Sequence, residues 1–368
     1  MGVSKYSPLH QFHLDFGAKV TDFGGWQMPI EYPAAKGGGV LNEHNAVRNS
    51  VGLFDVSHLG KALVKGEGAL CYLNSIFTND LRKISDGQAQ YTLLCQKGNG
   101  GVIDDLIIYR YSTSHFLLIP NAANCSEVIR QISQDAPKGL EIENLHESFA
   151  LLALQGPRSG EVLRELDIEV ELDYMSFMES KLDSEELIIC RTGYTGEHGY
   201  EILTSWASAR KIWDLLLGKV KKFAGLPAGL GARDTLRTEM GYALHGHELT
   251  LEITPLESSA SWALAFDKEF WGKSALEKQR LEKKHRRLAA ILISDRGIPR
   301  AGMEIRDKSG KAIGYVTSGT FSPSLKTGIA LGLLDSKLAI DSEVFIDIRG
   351  RLSQGLIKPL PFHPSRVK

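Results

Sequence analysis

The chain is short of cysteine, of net charge and of long apolar runs. Its four cysteines, Cys71, Cys95, Cys125 and Cys190, are scattered through 368 residues with no C-x-x-C pair. That spacing argues against a disulfide framework and against a structural zinc site, and a reducing setting, the cytoplasm, is expected. Lys and Arg number 43 against 44 Asp and Glu, a formal net charge of -1. A nucleic-acid-binding surface needs a basic excess to displace counterions, so that class of partner is not expected. No uninterrupted apolar run approaches the roughly 18 residues that cross a bilayer. Met1–Tyr6 lacks a secretion signal's apolar core, and Tyr6 stands where a myristoylation pattern needs Ser or Thr.

The common cofactor fingerprints are missing as well. Gly37-Gly38-Gly39 and the glycines of 98–101 fit neither G-x-G-x-x-G nor G-x-x-x-x-G-K-S/T, and read as flexible loops. No G-x-S-x-G elbow is present. His245-Gly-His247-Glu248 lacks H-E-x-x-H spacing, and His10 and His13 lie close to the terminus, so no metal site is expected. Cys95, inside a strand, reads as a small buried apolar residue.

What is present is an ordinary globular composition, 43% hydrophobic and 24% charged, in a length suited to two or three domains. Residues 52–65 alternate as a strand and lead through Gly66 into a helix, ALCYLNSIF. Strand-like runs follow around Tyr91, at 102–111 and at 115–121, then a helix, CSEVIRQIS, and a strand, LEIENL. The pattern restarts at Phe149: an apolar strand, Gly156-Pro157, a helix, two paired strands and the helix ASARKIWDLLL. The strand–Gly–helix units at Gly66 and Gly156 suggest a diverged duplication. Beyond a charge-rich helix at 275–288, short strands with turns read as a small barrel or sandwich. The order implies α+β architecture with antiparallel sheets.

Four segments combine turn glycines with aromatics and acids: 22–32, 100–109, 191–201 and 227–244. In VIDDLIIY, Asp104 and Asp105 face opposite sides of a strand, each among apolar neighbours. Partial desolvation would raise such a carboxyl toward the range useful in proton transfer. Alternation alone leaves the two equal; Tyr109, on the Asp105 face, favours Asp105. In RTGYTGEHGYE, Tyr194 and Tyr200 could stack on a flat ring. Glu201 could accept two parallel N–H bonds from a planar heterocycle such as a pterin. In GARDTLRTEMGY, residues Leu230, Asp234, Arg237 and Gly241 share a helical face. Arg233, near the helix start, opposes the helix dipole and suggests a carboxylate partner.

These segments, with VGLFDVSHLGK, TNDL, PNAAN, ALQGP, TPLESSASWAL, WGKSAL and VTSGTFSPSLKTGIALG, occur in an order that resembles the aminomethyltransferase family, the T-proteins of the glycine cleavage system. The resemblance implies three domains in a cloverleaf around a central folate cavity. They are expected at 1–50 with 140–245, at 51–139 with 246–280, and at 281–368, the last a β-barrel resembling a jelly roll. It implies transfer of the one-carbon unit from an aminomethyl group on lipoylated H-protein to tetrahydrofolate, with no metal. The essential aspartate falls on Asp105, and the folate-contacting residues on Glu201 and Arg233. Tyr91, Asn121, Tyr194 and Tyr242 match positions lining the cavity, with Tyr109 nearby. Leu59 replaces the Met of the family's DVSHM motif, Ser258-Ser259-Ala260 replaces a more apolar stretch, and Arg366 is a candidate for folate's glutamate tail. Two other readings share the scaffold. One is a folate-dependent demethylase of a small methylated compound. The other is a non-catalytic folate-binding protein of iron–sulfur maintenance, whose Lys-Gly-Cys-Tyr-x-Gly-Gln string this chain lacks.

Overall fold

The computed structural model describes residues 4–368. Two sheets and a barrel organise the chain. The first sheet has six strands in the order Phe177–Leu182, Glu185–Cys190, Gly199–Ser205, Phe149–Gln155, Gly52–Asp55, Leu226–Ala228, antiparallel except for the last pair. The second has five strands, Gln88–Cys95, Val102–Ser112, His115–Ile119, Ala62–Lys65 and Glu141–Asn144 in spatial order. A three-stranded sheet at the N-terminus places Trp26–Glu31 between Lys5–Tyr6 and Lys19–Phe23.

Each large sheet buries one face under helices. Helix Ala209–Lys222 presents Ile212, Trp213, Leu216 and Val220 at three- and four-residue spacing to the first sheet. Helices Ala69–Ile76 and Cys125–Gln134 cover the second. The remaining faces share a further core, with Phe54, Leu151 and Phe177 from the first sheet against Tyr109 and Leu117 from the second. The fold is therefore mixed α+β with largely antiparallel sheets.

Beyond residue 286, six strands close into a barrel. Arg287–Ile293 pairs with Thr327–Leu334 on one side and with Arg351–Lys358 on the other. Closure leaves no unpaired sheet edge. The charge-rich helix is shorter than its composition suggested. It spans Lys273–Glu282 and stops at Lys283, whose φ is 55°, while Arg287 and Leu288 already belong to the barrel.

The run 52–65 is not one strand. Gly52–Asp55 belongs to the six-stranded sheet and Ala62–Lys65 to the five-stranded one. Between them Asp55 Oδ1 accepts the Ser57 N–H at 2.9 Å, and the buried Lys61 amine donates back to the Ser57 carbonyl at 2.7 Å. The strand 52–55, expected in the second unit, thus joins the first. The strand 141–144, expected in the first, pairs with 62–65 in the second.

The two strand–Gly–helix units do share a turn. Gly66 and Gly156 have φ of 128° and 132°, and a Cβ on either would stand 2.4 Å from a carbonyl oxygen. Other glycines read as flexible are packed: a Cβ on Gly38 would lie 2.6 Å from the Tyr32 carbonyl oxygen, and one on Gly101 1.9 Å from that of Leu251. His13, expected at a loose terminus, is fully buried with Nε2 2.9 Å from Asp55.

Candidate active site

A cavity of about 1230 Å³ opens where the two sheets, the helix Leu230–Met240 and the barrel meet. Its acid comes from the second sheet. Leu93 lies opposite Asp105 in the antiparallel pair, which puts Tyr91 on the same face two positions away. The Tyr91 hydroxyl donates to Asp105 Oδ2 at 3.0 Å, and Asn121 Nδ2 donates to Oδ1 at 3.0 Å. Asp105 lines the cavity.

Asp104 points the other way and is fully buried. It accepts the Asn121 backbone N–H at 2.9 Å, Asn121 Nδ2 at 2.9 Å and Asn124 Nδ2 at 2.7 Å. One amide, that of Asn121, therefore joins the two carboxyls. Burial raises both above the ordinary carboxyl range. For Asp104 the neighbouring Asp105 charge adds to that, and the amide donors oppose it. For Asp105, His245, Tyr91 and Asn121 oppose it. A carboxyl of raised pKa facing a cavity is suited to taking up and giving back a proton.

The opposite wall comes from the first sheet. Glu201 lies opposite both Cys190 and Ala153, which fixes its side chain at the sheet's end. Its Oε2 accepts the Thr192 hydroxyl at 2.5 Å. Among the described residues no donor reaches Oε1, which leaves one carboxylate oxygen for a ligand. Helix Leu230–Met240 supplies Arg233, whose guanidinium carbon lies 4.7 Å from the Tyr194 ring centroid. Its Nη1 is buried without an acceptor, and among the described residues no carboxylate comes within 4.0 Å. Burial pulls this guanidinium below its ordinary range, while Glu201 and Tyr194 support its charge. The carboxylate partner expected for Arg233 is thus a longer-range neighbour, Glu201. Tyr194 stacks on Tyr242 at 5.6 Å between centroids and donates its hydroxyl to the Ala243 carbonyl.

Asp105, Tyr91, Asn121, Glu201 and Arg233 therefore line one cavity, and Leu59, Tyr194 and Tyr242 join them. Leu230, Asp234, Arg237 and Gly241, grouped on one helical face, also line it. Three expected residues do not. Tyr109 is buried behind the wall, its hydroxyl 3.0 Å from Thr192 Oγ1, so it reaches the cavity only through Thr192 and Glu201. Tyr200 packs in the first core and cannot stack on a ligand, because it alternates away from Glu201 along the strand. Arg366 lies outside the cavity, its Nη1 3.3 Å from the Arg48 carbonyl.

Other cavity residues escaped sequence reasoning. Thr192 carries no signal beyond standing beside Gly193. Trp262, 66% exposed, stacks on Tyr91 at 5.4 Å. His245, considered only as a metal ligand, lines the cavity with Nε2 3.1 Å from the Val102 carbonyl oxygen. Arg237, already expected on the shared helical face, is 2% exposed and joins Glu248, at 3.0 Å, to Ser318 of the barrel, at 2.8 Å. Among the described residues, no group of three or more His, Cys, Asp or Glu is placed to hold a metal ion. No helix among them is long and apolar enough to cross a membrane.

Known proteins share both sequence and shape with this chain. Residues 9–268 match the GCVT N-terminal domain, and residues 286–363 match the glycine cleavage T-protein C-terminal barrel domain. The chain is 51% identical over 363 residues to the aminomethyltransferase of Parafrankia sp. (strain EAN1pec), covering 98% of each. It is 48% identical over 360 residues to that of Mycobacterium avium (strain 104), covering 97% of this chain and 96% of the other. The crystal structure of glycine cleavage system aminomethyltransferase T from Bartonella henselae superposes with a TM-score of 0.91 at 34% identity, covering 98% of this chain and 99% of that one. The chain belongs to the glycine cleavage T-protein family of aminomethyltransferases.

Proposed function

We propose that the central cavity binds tetrahydrofolate, with Asp105 as the acid that manages protons at the transfer step. The one-carbon donor is the aminomethyl group carried by lipoylated H-protein. Tetrahydrofolate supplies the amines that take up the carbon, and the products are methylene-tetrahydrofolate, ammonia and dihydrolipoyl H-protein. The observation that carries this reading is the convergence of Asp105, Glu201 and Arg233, from separate parts of the chain, on one cavity.

The residues fit a reduced pteridine. The free oxygen of Glu201, beside the one held by Thr192, suits a ring N–H next to an exocyclic amine. The unsatisfied N–H of Arg233 suits a ligand oxygen. Stacked Tyr194 and Tyr242 offer aromatic surface to a flat ring. Asp105, held at both oxygens by Tyr91 and Asn121, presents its carboxyl in a fixed orientation, so little reorganisation is needed when a proton moves.

The same reading gives the domain plan. A discontinuous first unit is built on the six-stranded sheet, a second on the five-stranded sheet completed by residues 246–280, and the barrel forms the third. The enzyme works as a cytoplasmic protein without nucleic acid or metal. The test is turnover: aminomethyl-loaded, lipoylated H-protein with tetrahydrofolate, followed by ammonia release. Release dependent on both substrates is expected. No release, together with folate-dependent demethylation of a small methylated amine, would replace this reading by the demethylase one.

A further inference from the structure

The segment after the last barrel strand, residues 359–368, leaves the barrel and crosses the two loops that carry the stacked tyrosines. Leu360 and Pro361 form part of the cavity wall. Leu360 lies so close to Gly241 that a Cβ there would stand 2.4 Å from its Cδ1. The Phe362 N–H donates to the Glu239 carbonyl at 2.7 Å, and the Arg366 N–H to the Gly196 carbonyl at 2.7 Å. The Val367 carbonyl accepts from Arg191 Nη2 at 2.6 Å. Arg366 Nη1 adds a contact to the Arg48 carbonyl at 3.3 Å and lies 3.7 Å from Glu197 Oε2.

The points of attachment flank the cavity aromatics. Gly196 is two residues beyond Tyr194, Glu239 is three residues before Tyr242, and Gly241 immediately precedes it. Here the ties go to the loop that holds Tyr194 and to the C-terminal end of the helix Leu230–Met240 that leads into Tyr242. The Glu239 end is itself fixed: its buried carboxylate accepts Arg48 Nη2 at 2.8 Å, Ser322 Oγ at 2.5 Å and Ser324 Oγ at 2.9 Å, which joins helix, barrel and strap at one point.

We propose that residues 360–367 are a positioning strap for the folate cavity: they set the separation of Tyr194 and Tyr242, and Arg366 acts through Gly196 and Glu197 without touching the ligand. The proposal rests on the folate reading of the cavity. It separates ligand binding from the acid chemistry, because no strap residue hydrogen-bonds to the side chains of Asp105, Tyr91 or Asn121.

The test uses the full-length enzyme, a variant lacking residues 365–368, and the substitutions Arg366→Ala and Arg366→Lys. Ammonia release is measured with each substrate varied in turn, folinic acid binding by calorimetry, and unfolding by heat. The deletion should raise KM for tetrahydrofolate about tenfold and weaken folinic acid by a similar factor. Its kcat at saturating tetrahydrofolate should stay within about twofold, with KM for H-protein unchanged. Arg366→Ala should raise KM for tetrahydrofolate about threefold, and Arg366→Lys should restore most of it, since a cation near Glu197 is kept. Unchanged KM and affinity in both the deletion and Arg366→Ala overturn the strap. So does a parallel loss of kcat and of affinity for both substrates with a lowered melting temperature, which would mark a general structural role. If the deletion does not fold, Arg366→Ala decides alone. A wild-type enzyme that releases no ammonia would instead overturn the functional reading.

Discussion

Replacing each of the adjacent acids by asparagine separates their roles. At Asp105 the partners are the Tyr91 hydroxyl and one Asn121 N–H. An asparagine can accept from Asn121 through its oxygen and donate to Tyr91 through its amide, because a hydroxyl rotates to accept. The exchange also removes a buried charge beside Asp104. Stability should change by less than about 1 kcal/mol and folinic acid affinity by less than about threefold. Turnover should fall by about 10²–10⁴, the usual worth of a positioned acid or base. At Asp104 all three partners are obligate N–H donors. An amide there sets N–H against N–H in a buried site, so Asp104→Asn should cost about 1–3 kcal/mol of stability. The assay is ammonia release at saturating substrates, with denaturant unfolding of each variant. Near-normal kcat in Asp105→Asn, or a larger stability loss there than in Asp104→Asn, would refute the assignment.

Four further outcomes are expected. Glu201→Ala leaves the ligand's N–H groups unpaired and should weaken folinic acid by about 1–3 kcal/mol in calorimetry, while Arg233→Lys should not keep wild-type affinity if the guanidinium makes paired contacts. Lys61 is fully buried, with its amine on the Ser57 and His146 carbonyls, and burial lowers it from 10.5 to about 7. Between those values the unfolded lysine binds more protons than the folded one, so stability should rise with pH across this window. In denaturant titrations at pH 7 and 9, Lys61→Met should flatten that rise, and an equal slope in both proteins would show that Lys61 is not its source. Gly156→Ala puts a Cβ 2.4 Å from the Ser50 carbonyl oxygen at a φ of 132° and should cost about 1–3 kcal/mol of stability, read as a lowered melting temperature.

The strand that carries the acid was legible because alternation is local. Asp105 and Tyr91 lie on neighbouring strands joined by a short turn, and the helical face Leu230–Gly241 follows from 3.6-residue periodicity alone. The barrel was legible for the same reason, its strands being short and regularly spaced. The split of 52–65 was not. Its residues are buried in three different cores, and hydrophobicity looks the same whichever sheet covers it. The resemblance supplied residues such as Asn121 and Arg233, but not their surroundings. That Asn121 joins both carboxyls, or that Arg233 Nη1 is left without an acceptor, depends on packing between distant segments. Tyr109 and Tyr200 were misplaced because a residue's face on a strand does not say whether a cavity or a core lies over it. The contact of Arg366 with Arg48 was not legible because the two are far apart in sequence.

In the proposed function, one cavity grips a pteridine on the Glu201 side while Asp105 waits beside the reacting amines. A crystal structure with folinic acid tests it most directly. The pteridine edge is expected on the Glu201 carboxylate, an oxygen of the ligand on Arg233, and the Asp105 carboxyl within hydrogen-bond reach of the ligand. Folinic acid bound elsewhere, or in this cavity with Asp105 out of its reach, would contradict it.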